Sequence, residues 1–99
     1  MSEITGRHIL ITGGASGIGR LMARKLAGQG ARVSVWDVDR EKLDKVVAEL
    51  ATGPEPAHGF HCDVSKRQDV YRVAAETTAA AGAVDTIASA PALFGVGPY

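Results

Sequence analysis

Thr12 to Gly19 reads Thr-Gly-Gly-Ala-Ser-Gly-Ile-Gly, with glycine at 13, 14, 17 and 19, and it follows directly on the apolar run Ile9-Leu10-Ile11. A short β-branched run of this kind suits a strand buried on both faces. After the loop, Ile18, Leu21, Met22 and Leu26 recur at helical spacing. The segment is therefore a strand, a glycine turn and a helix, in that order. Glycines remove the Cβ atoms that would block a tight turn and a close backbone approach. The first N–H groups of the helix and its dipole attract an anion, so the turn is a phosphate site in form.

The rest of the chain repeats the same alternation. The helix is expected to stop near Gly28 or Gly30, where glycine tolerates a left-handed helix end. Arg32 to Trp36 is a second strand, with Val33 and Val35 on one face and Asp37 closing it. Asp39 is the expected N-cap of a helix whose Leu43, Val46, Val47 and Leu50 fall at i, i+3, i+4 and i+7. Gly53-Pro54 and Pro56 end that helix. Gly59 to Cys62 is read as a short third strand. Ser65-Lys-Arg-Gln68 has the form of a capping box, opening a helix through Val70, Val73 and Ala74 to about Gly82. Val84 to Ala88 reads as a fourth strand. Strands alternating with helices imply a parallel sheet with helices on its faces. Residues 1–88 thus form one unit, and 89–99, with two prolines and little periodicity, an irregular tail.

Composition narrows the partners. The chain has 99 residues, room for one domain, and 45% are apolar, enough for a core. Eleven acidic residues balance eleven basic ones, which gives no reason to expect nucleic acid or an anionic membrane. No apolar stretch approaches the roughly 18 residues that span a bilayer, and the N-terminus has no signal-peptide pattern. The single cysteine, Cys62, allows no intrachain disulfide and fits a reducing cytoplasm. His58, His61, Cys62 and Asp63 lie close in sequence, but strand alternation sends His61 and Cys62 to opposite faces, so no metal site is expected. Cys62 itself reads as a small buried hydrophobe.

The loop spacing is G-x-x-x-G-x-G through Gly13, Gly17 and Gly19. A phosphate-binding loop of the Walker type would need Lys and Ser or Thr after Gly19, where Arg20 and Leu21 stand. Leucine cannot ligate Mg²⁺. A purely structural glycine turn is the remaining alternative. Thr12-Gly-Gly-Ala-Ser-Gly-Ile-Gly19 resembles the T-G-x-x-x-G-x-G cofactor motif of short-chain dehydrogenases/reductases. The likeness runs from Gly6 to about Ile87, through Gly6-Arg-His-Ile-Leu-Ile-Thr-Gly, Val35-Trp-Asp-Val, His61-Cys-Asp-Val64 and Tyr71-Arg-Val-Ala. Trp36-Asp37 and Tyr71-Arg-Val-Ala most resemble the branch containing retinol and 17β-hydroxysteroid dehydrogenases. The resemblance implies a three-layer α/β Rossmann half: a doubly wound parallel sheet of about four strands in the order 3-2-1-4.

It also implies a cofactor. Asp37 lies 24 positions after Gly13, near the point about 20 residues on where an acid accepts hydrogen bonds from the adenosine ribose. A carboxylate there repels a 2′-phosphate and favours NAD over NADP, although Arg40 is close. The alternative for Asp37 is a solvated acid in a turn. Members that use NADP often carry a basic residue just before the second motif glycine, and here that residue is neutral Ser16. The resemblance assigns Gly13, Ser16, Gly17, Ile18 and Gly19 to the cofactor turn. It places Asp63 and Val64 beside the adenine, the aspartate bonding its amino group. Asp63 also begins the turn into the next helix, and the two roles are compatible.

The family transfers hydride between NAD(H) and an alcohol or ketone with a serine and a Y-x-x-x-K pair. In this chain Tyr71 is followed four positions on by Ala75, and Tyr99 is the last residue. The family's Asn-Asn-Ala-Gly after the fourth strand is replaced by Ser89-Ala-Pro-Ala92. No catalytic residue is therefore assigned. A truncated or frame-shifted reading frame would produce this pattern, and reading the nucleotides past Tyr99 in all three frames tests it. Two functional expectations stand: the cofactor-binding portion of an oxidoreductase, or a stand-alone nucleotide-binding module without chemistry of its own. Either leaves a sheet edge through which copies of the chain could associate.

Overall fold

The structure is a computed structural model that describes residues 4–53 and 55–89. Four strands, β1 (His8–Thr12), β2 (Arg32–Asp37), β3 (Ala57–His61) and β4 (Thr86–Ser89), alternate with α1 (Gly17–Gly28), α2 (Arg40–Leu50) and α3 (Arg67–Ala81). The sheet is parallel throughout, in the order β3-β2-β1-β4 expected from the sequence. Central β1 pairs His8 with Arg32 through Thr12 with Trp36 on one side, and Ile9 with Thr86 through Thr12 with Ser89 on the other. All five residues of β1 are buried, as a strand covered on both faces requires.

Strand alternation divides the core in two. Ile9, Ile11, Val33 and Val35 face α1 and α2, packing on Ala23, Ala27, Leu43, Val46 and Leu50. Leu10 and Trp36 face the other way, onto Val73 of α3 and Cys62. The result is three layers, with α1 and α2 on one side of the sheet and α3 on the other. Asp39 caps α2 as expected, its carboxylate accepting from the Lys42 N–H at 3.1 Å. Gly82 ends α3 at φ +87°, the region where glycine is favoured.

Five sequence expectations are corrected, the last of them the cap of α3. β3 begins at Ala57 rather than Gly59 and ends at His61, because the pairing of Val33 with Ala57 draws the earlier residues into register. β4 starts at Thr86 rather than Val84. Asp85 marks its entrance, its carboxylate accepting from the His8 N–H while its own N–H donates to the His8 carbonyl. Ser89 is the last residue of β4, and residues 90–99 of the expected tail lie outside the described residues. On α1, Ile18 and Leu21 are exposed, and the buried stripe is Gly19, Ala23 and Ala27, flanked by Met22 and Leu26. Small residues let the helix lie close on the sheet, which leaves the larger ones at the margin.

The capping box at Ser65 does not form. Lys66 is the N-cap of α3, without a side-chain cap bond, and the Ser65 hydroxyl donates to Asp63 Oδ1 at 2.6 Å. Asp69 performs the reach-back instead, accepting from the Asp63 N–H at 3.1 Å. A carboxylate accepts more strongly than the serine and glutamine groups it displaces.

His8 is fully buried between the layers. Its Nδ1 lies 3.0 Å from the Gly82 carbonyl, which can only accept, so Nδ1 carries the proton. Nε2 shares a hydrogen bond with the Ser34 hydroxyl at 2.7 Å. This chain of bonds ties β1 to β2 and to the α3–β4 turn.

Candidate cofactor site

Three strand-to-helix turns open at the same end of the sheet, where ligands bind in open α/β folds. The first is the glycine loop. Gly13 adopts φ +70° and its N–H donates to the Trp36 carbonyl at 2.7 Å, which pins the loop to the end of β2. Gly14 is buried so closely that a Cβ there would lie 2.9 Å from Val35 Cγ1 and 3.0 Å from Ile11 Cγ2. Gly17 opens α1 at φ +58°. Ser16 is the N-cap but makes no side-chain cap bond, so the first-turn N–H groups of α1 are not capped by it. Ser16 and Ile18 are exposed at the mouth of the loop, and Gly19 is buried beneath it.

The second turn brings Asp37 to the first. Its Oδ2 accepts from the Ala15 N–H in the glycine loop at 3.1 Å, and its Oδ1 accepts from the Asp39 N–H at 3.0 Å. One carboxylate thus orders the phosphate-type turn and the entrance to α2. Asp37 is half-buried, so its carboxylate is held in place without being sealed from solvent.

The third turn follows β3. The Cys62 N–H donates to the Asp37 carbonyl at 3.1 Å, which sets Asp63 beside the end of β2. The Asp63 carboxylate turns towards Ser65, accepting from its hydroxyl and, at 3.0 Å, from its N–H. Those two bonds hold Asp63 below the usual carboxylate range, the hydroxyl contributing most. Val64 is exposed. Cys62 is buried as expected, and burial pushes its thiol up, with the Asp69 charge adding to the effect. Among the described residues no three His, Cys, Asp or Glu side chains gather as a metal site would need.

A group that the sequence reading missed lies on the α1–α2 side of the loop. Ala15, Ser16 and Gly17 line a cavity of about 240 Å³ together with Arg20, Lys42, Lys45 and Glu49. Arg20 donates through Nε to Glu49 Oε1 at 2.9 Å and through its terminal nitrogen to Oε2. This pairing raises the guanidinium and lowers the carboxyl, in each case chiefly through the hydrogen bonds. Arg20 and Glu49 are 29 positions apart, and no local spacing signals the pair.

Comparison with known proteins agrees with this geometry. A family model described as short chain dehydrogenase matches residues 7–97. The 2,5-dichloro-2,5-cyclohexadiene-1,4-diol dehydrogenase of Sphingobium indicum is 42% identical over 85 residues, covering 86% of this chain and 33% of that protein. Epidermal retinol dehydrogenase 2 of Mus musculus is 40% identical over 87 residues, covering 86% of the chain and 28% of that protein. The chain therefore spans about a third of the length of the curated relatives it matches. An NAD⁺-bound xylitol dehydrogenase superposes with a TM-score of 0.83 at 27% identity, covering 87% of this chain and 33% of that one. A metagenomic short-chain oxidoreductase in complex with NADP gives 0.79 at 35% identity, covering 87% and 39%.

Proposed function

This chain belongs to the short chain dehydrogenase family, and on that premise we propose that its glycine loop and Asp37 form the adenosine-side cofactor site of an oxidoreductase moving hydride between NAD(H) and an alcohol or ketone. The observation that carries the reading is the bond from the Ala15 N–H to Asp37, which places a fixed carboxylate against the phosphate-type turn. In this reading Gly13, Ser16, Gly17, Ile18 and Gly19 receive the pyrophosphate. The Asp37 carboxylate accepts from the ribose hydroxyls and disfavours a 2′-phosphate, so NAD is preferred over NADP. Asp63 and Val64 flank the adenine. These 99 residues contain no Tyr-x-x-x-Lys, so the role proposed for them is binding and orientation of the cofactor.

Calorimetric titration tests the site. NAD is expected to bind saturably, and Gly13→Val or Asp37→Ala to weaken binding by at least about tenfold. Valine is strained at the positive φ of Gly13 and would thrust its branches into the turn. Unchanged affinity in both variants would remove these residues from the site.

Two further features fall within the same proposal. No helix among the described residues is long and apolar enough to cross a membrane, and with its one cysteine buried the chain suits the cytoplasm. β4 forms one edge of the described sheet and exposes Ile87 beside an apolar depression of about 400 Å³ lined by Leu10, Trp36, Val70 and Val84. We read this edge as a surface for self-association. Sedimentation velocity should show concentration-dependent growth that Ile87→Lys suppresses; growth unaltered by that change would place the contact elsewhere.

A further inference from the structure

The cavity beside the glycine loop holds three cations, Arg20, Lys42 and Lys45, and one carboxylate, Glu49. Arg20 follows Ser16 by one helical turn, so both lie on the same side of α1. Ala15, which lines the cavity, also donates to Asp37. The cavity therefore adjoins the position proposed for the adenosine ribose. Cationic groups in such a place suit a ribose 2′-phosphate, a dianion that takes guanidinium donors in pairs. One edge of Arg20 is already engaged. Its Nε and one terminal nitrogen bind the two oxygens of Glu49, which reaches across from α2, so that pair holds one edge of the guanidinium and offsets its charge. Lys42 and Lys45 stand in no ion pair among the described residues, but they are mobile point charges without the planar fork.

Resting on the cofactor reading above, we infer that Glu49 is a specificity-determining residue, which holds one edge of Arg20, offsets its charge and so weakens its attraction for the 2′-phosphate of NADP. Asp37 repels the phosphate from the end of β2, and Glu49 weakens an attraction from the α2 side. The two act on the same group through different physics. Asp37 adds a like charge, whereas Glu49 competes for donors. The Arg20–Glu49 pair is part exposed, with side chains 39% and 35% accessible. Pairs of that kind contribute little to stability, so it can be broken without unfolding the chain.

The test measures NAD and NADP affinity by calorimetry on the full chain, on Glu49→Gln, and on the Arg20→Gln/Glu49→Gln double variant. Glu49→Gln is expected to improve NADP binding relative to NAD by about tenfold while leaving NAD affinity within about twofold. Adding Arg20→Gln should return the ratio to its starting value, since the gain runs through the freed guanidinium. An NADP/NAD ratio unchanged by Glu49→Gln, or a gain that survives loss of Arg20, overturns the inference and leaves the glycine-loop site standing. Binding of neither dinucleotide by the unaltered chain overturns the site and the inference together.

Discussion

The two faces of the sheet are held by different means. On the α1–α2 face the fit is one of shape. A Cβ at Gly14 would press on Val35 and Ile11, and one at Gly59 would lie 2.5 Å from Val47 Cγ2 and 3.0 Å from Leu43 Cδ1. On the α3 face the fit is one of hydrogen bonds. The Trp36 Nε1–H donates to the Thr77 hydroxyl at 2.9 Å, and that hydroxyl donates in turn to the Val73 carbonyl at 2.7 Å. His8 and Ser34 form a second buried pair, and the apolar depression lies open beside Trp36 and Thr77. The glycine loop takes its position from the first face and its anchor, the Trp36 carbonyl, from the strand that both faces share. Shape fixes where the backbone of the site can run, and buried polar bonds fix which way the strand beneath it is turned.

Overpacking the first face should have the largest effect. Gly59→Val places a branched side chain against Val47 and Leu43, and Val47 is itself β-branched and slow to yield. The expected loss is about 3 kcal/mol, the upper end of the overpacking range, measured by urea denaturation. A loss below about 0.5 kcal/mol would show that α2 moves away freely and that this face is not shape-limited.

Next comes the polar face. Thr77→Val preserves shape but leaves the Trp36 N–H buried without an acceptor, at a cost of about 2 kcal/mol. The double variant Trp36→Phe/Thr77→Val should be less destabilised than the sum of the two single changes, because the orphaned donor is gone. Strict additivity would mean that the bond does not hold this face.

The same contrast explains what could be read from the sequence. The element order and the parallel sheet follow from strands alternating with helices, and the strand order from the family resemblance. The Asp39 cap and the Gly82 stop follow from residue type at a helix end. The glycine loop and Asp37 are legible because a close backbone approach admits few side chains. What escaped were choices among near-equal local options or bonds made across the fold. Ser65 could cap α3, but Asp63 and Asp69 outcompeted it. Ile18 and Leu21 share an apolar periodicity with Met22 and Leu26, yet the small stripe Gly19–Ala23–Ala27 sets how α1 lies. The bonds from His8 to Gly82 and from Arg20 to Glu49 join residues far apart in sequence, where no periodicity points.

Acid should give the smallest effect and sharpen the comparison at the start of α3. Asp69 is held below the usual carboxylate range first by the Asp63 N–H and then by Arg72, and Asp63 by the Ser65 hydroxyl and N–H. A carboxyl lowered in the folded state stabilises fully above its unfolded value, near 4, and that contribution is lost as pH falls through the lower folded value. Glu49 on the first face is lowered in the same sense by Arg20, so a global acid titration mixes the two faces. Amide exchange separates them. As pH falls through that window, the Asp63 and Ser65 N–H groups should lose protection in excess of the intrinsic pH dependence of exchange, while those in the middle of α2 should not. Asp69→Asn should remove the excess at Asp63, because the amide oxygen accepts only as a neutral group and does not titrate. If α2 and the α3 entrance open together, the two faces form one cooperative unit, and the division between shape and hydrogen bonding describes packing without describing stability.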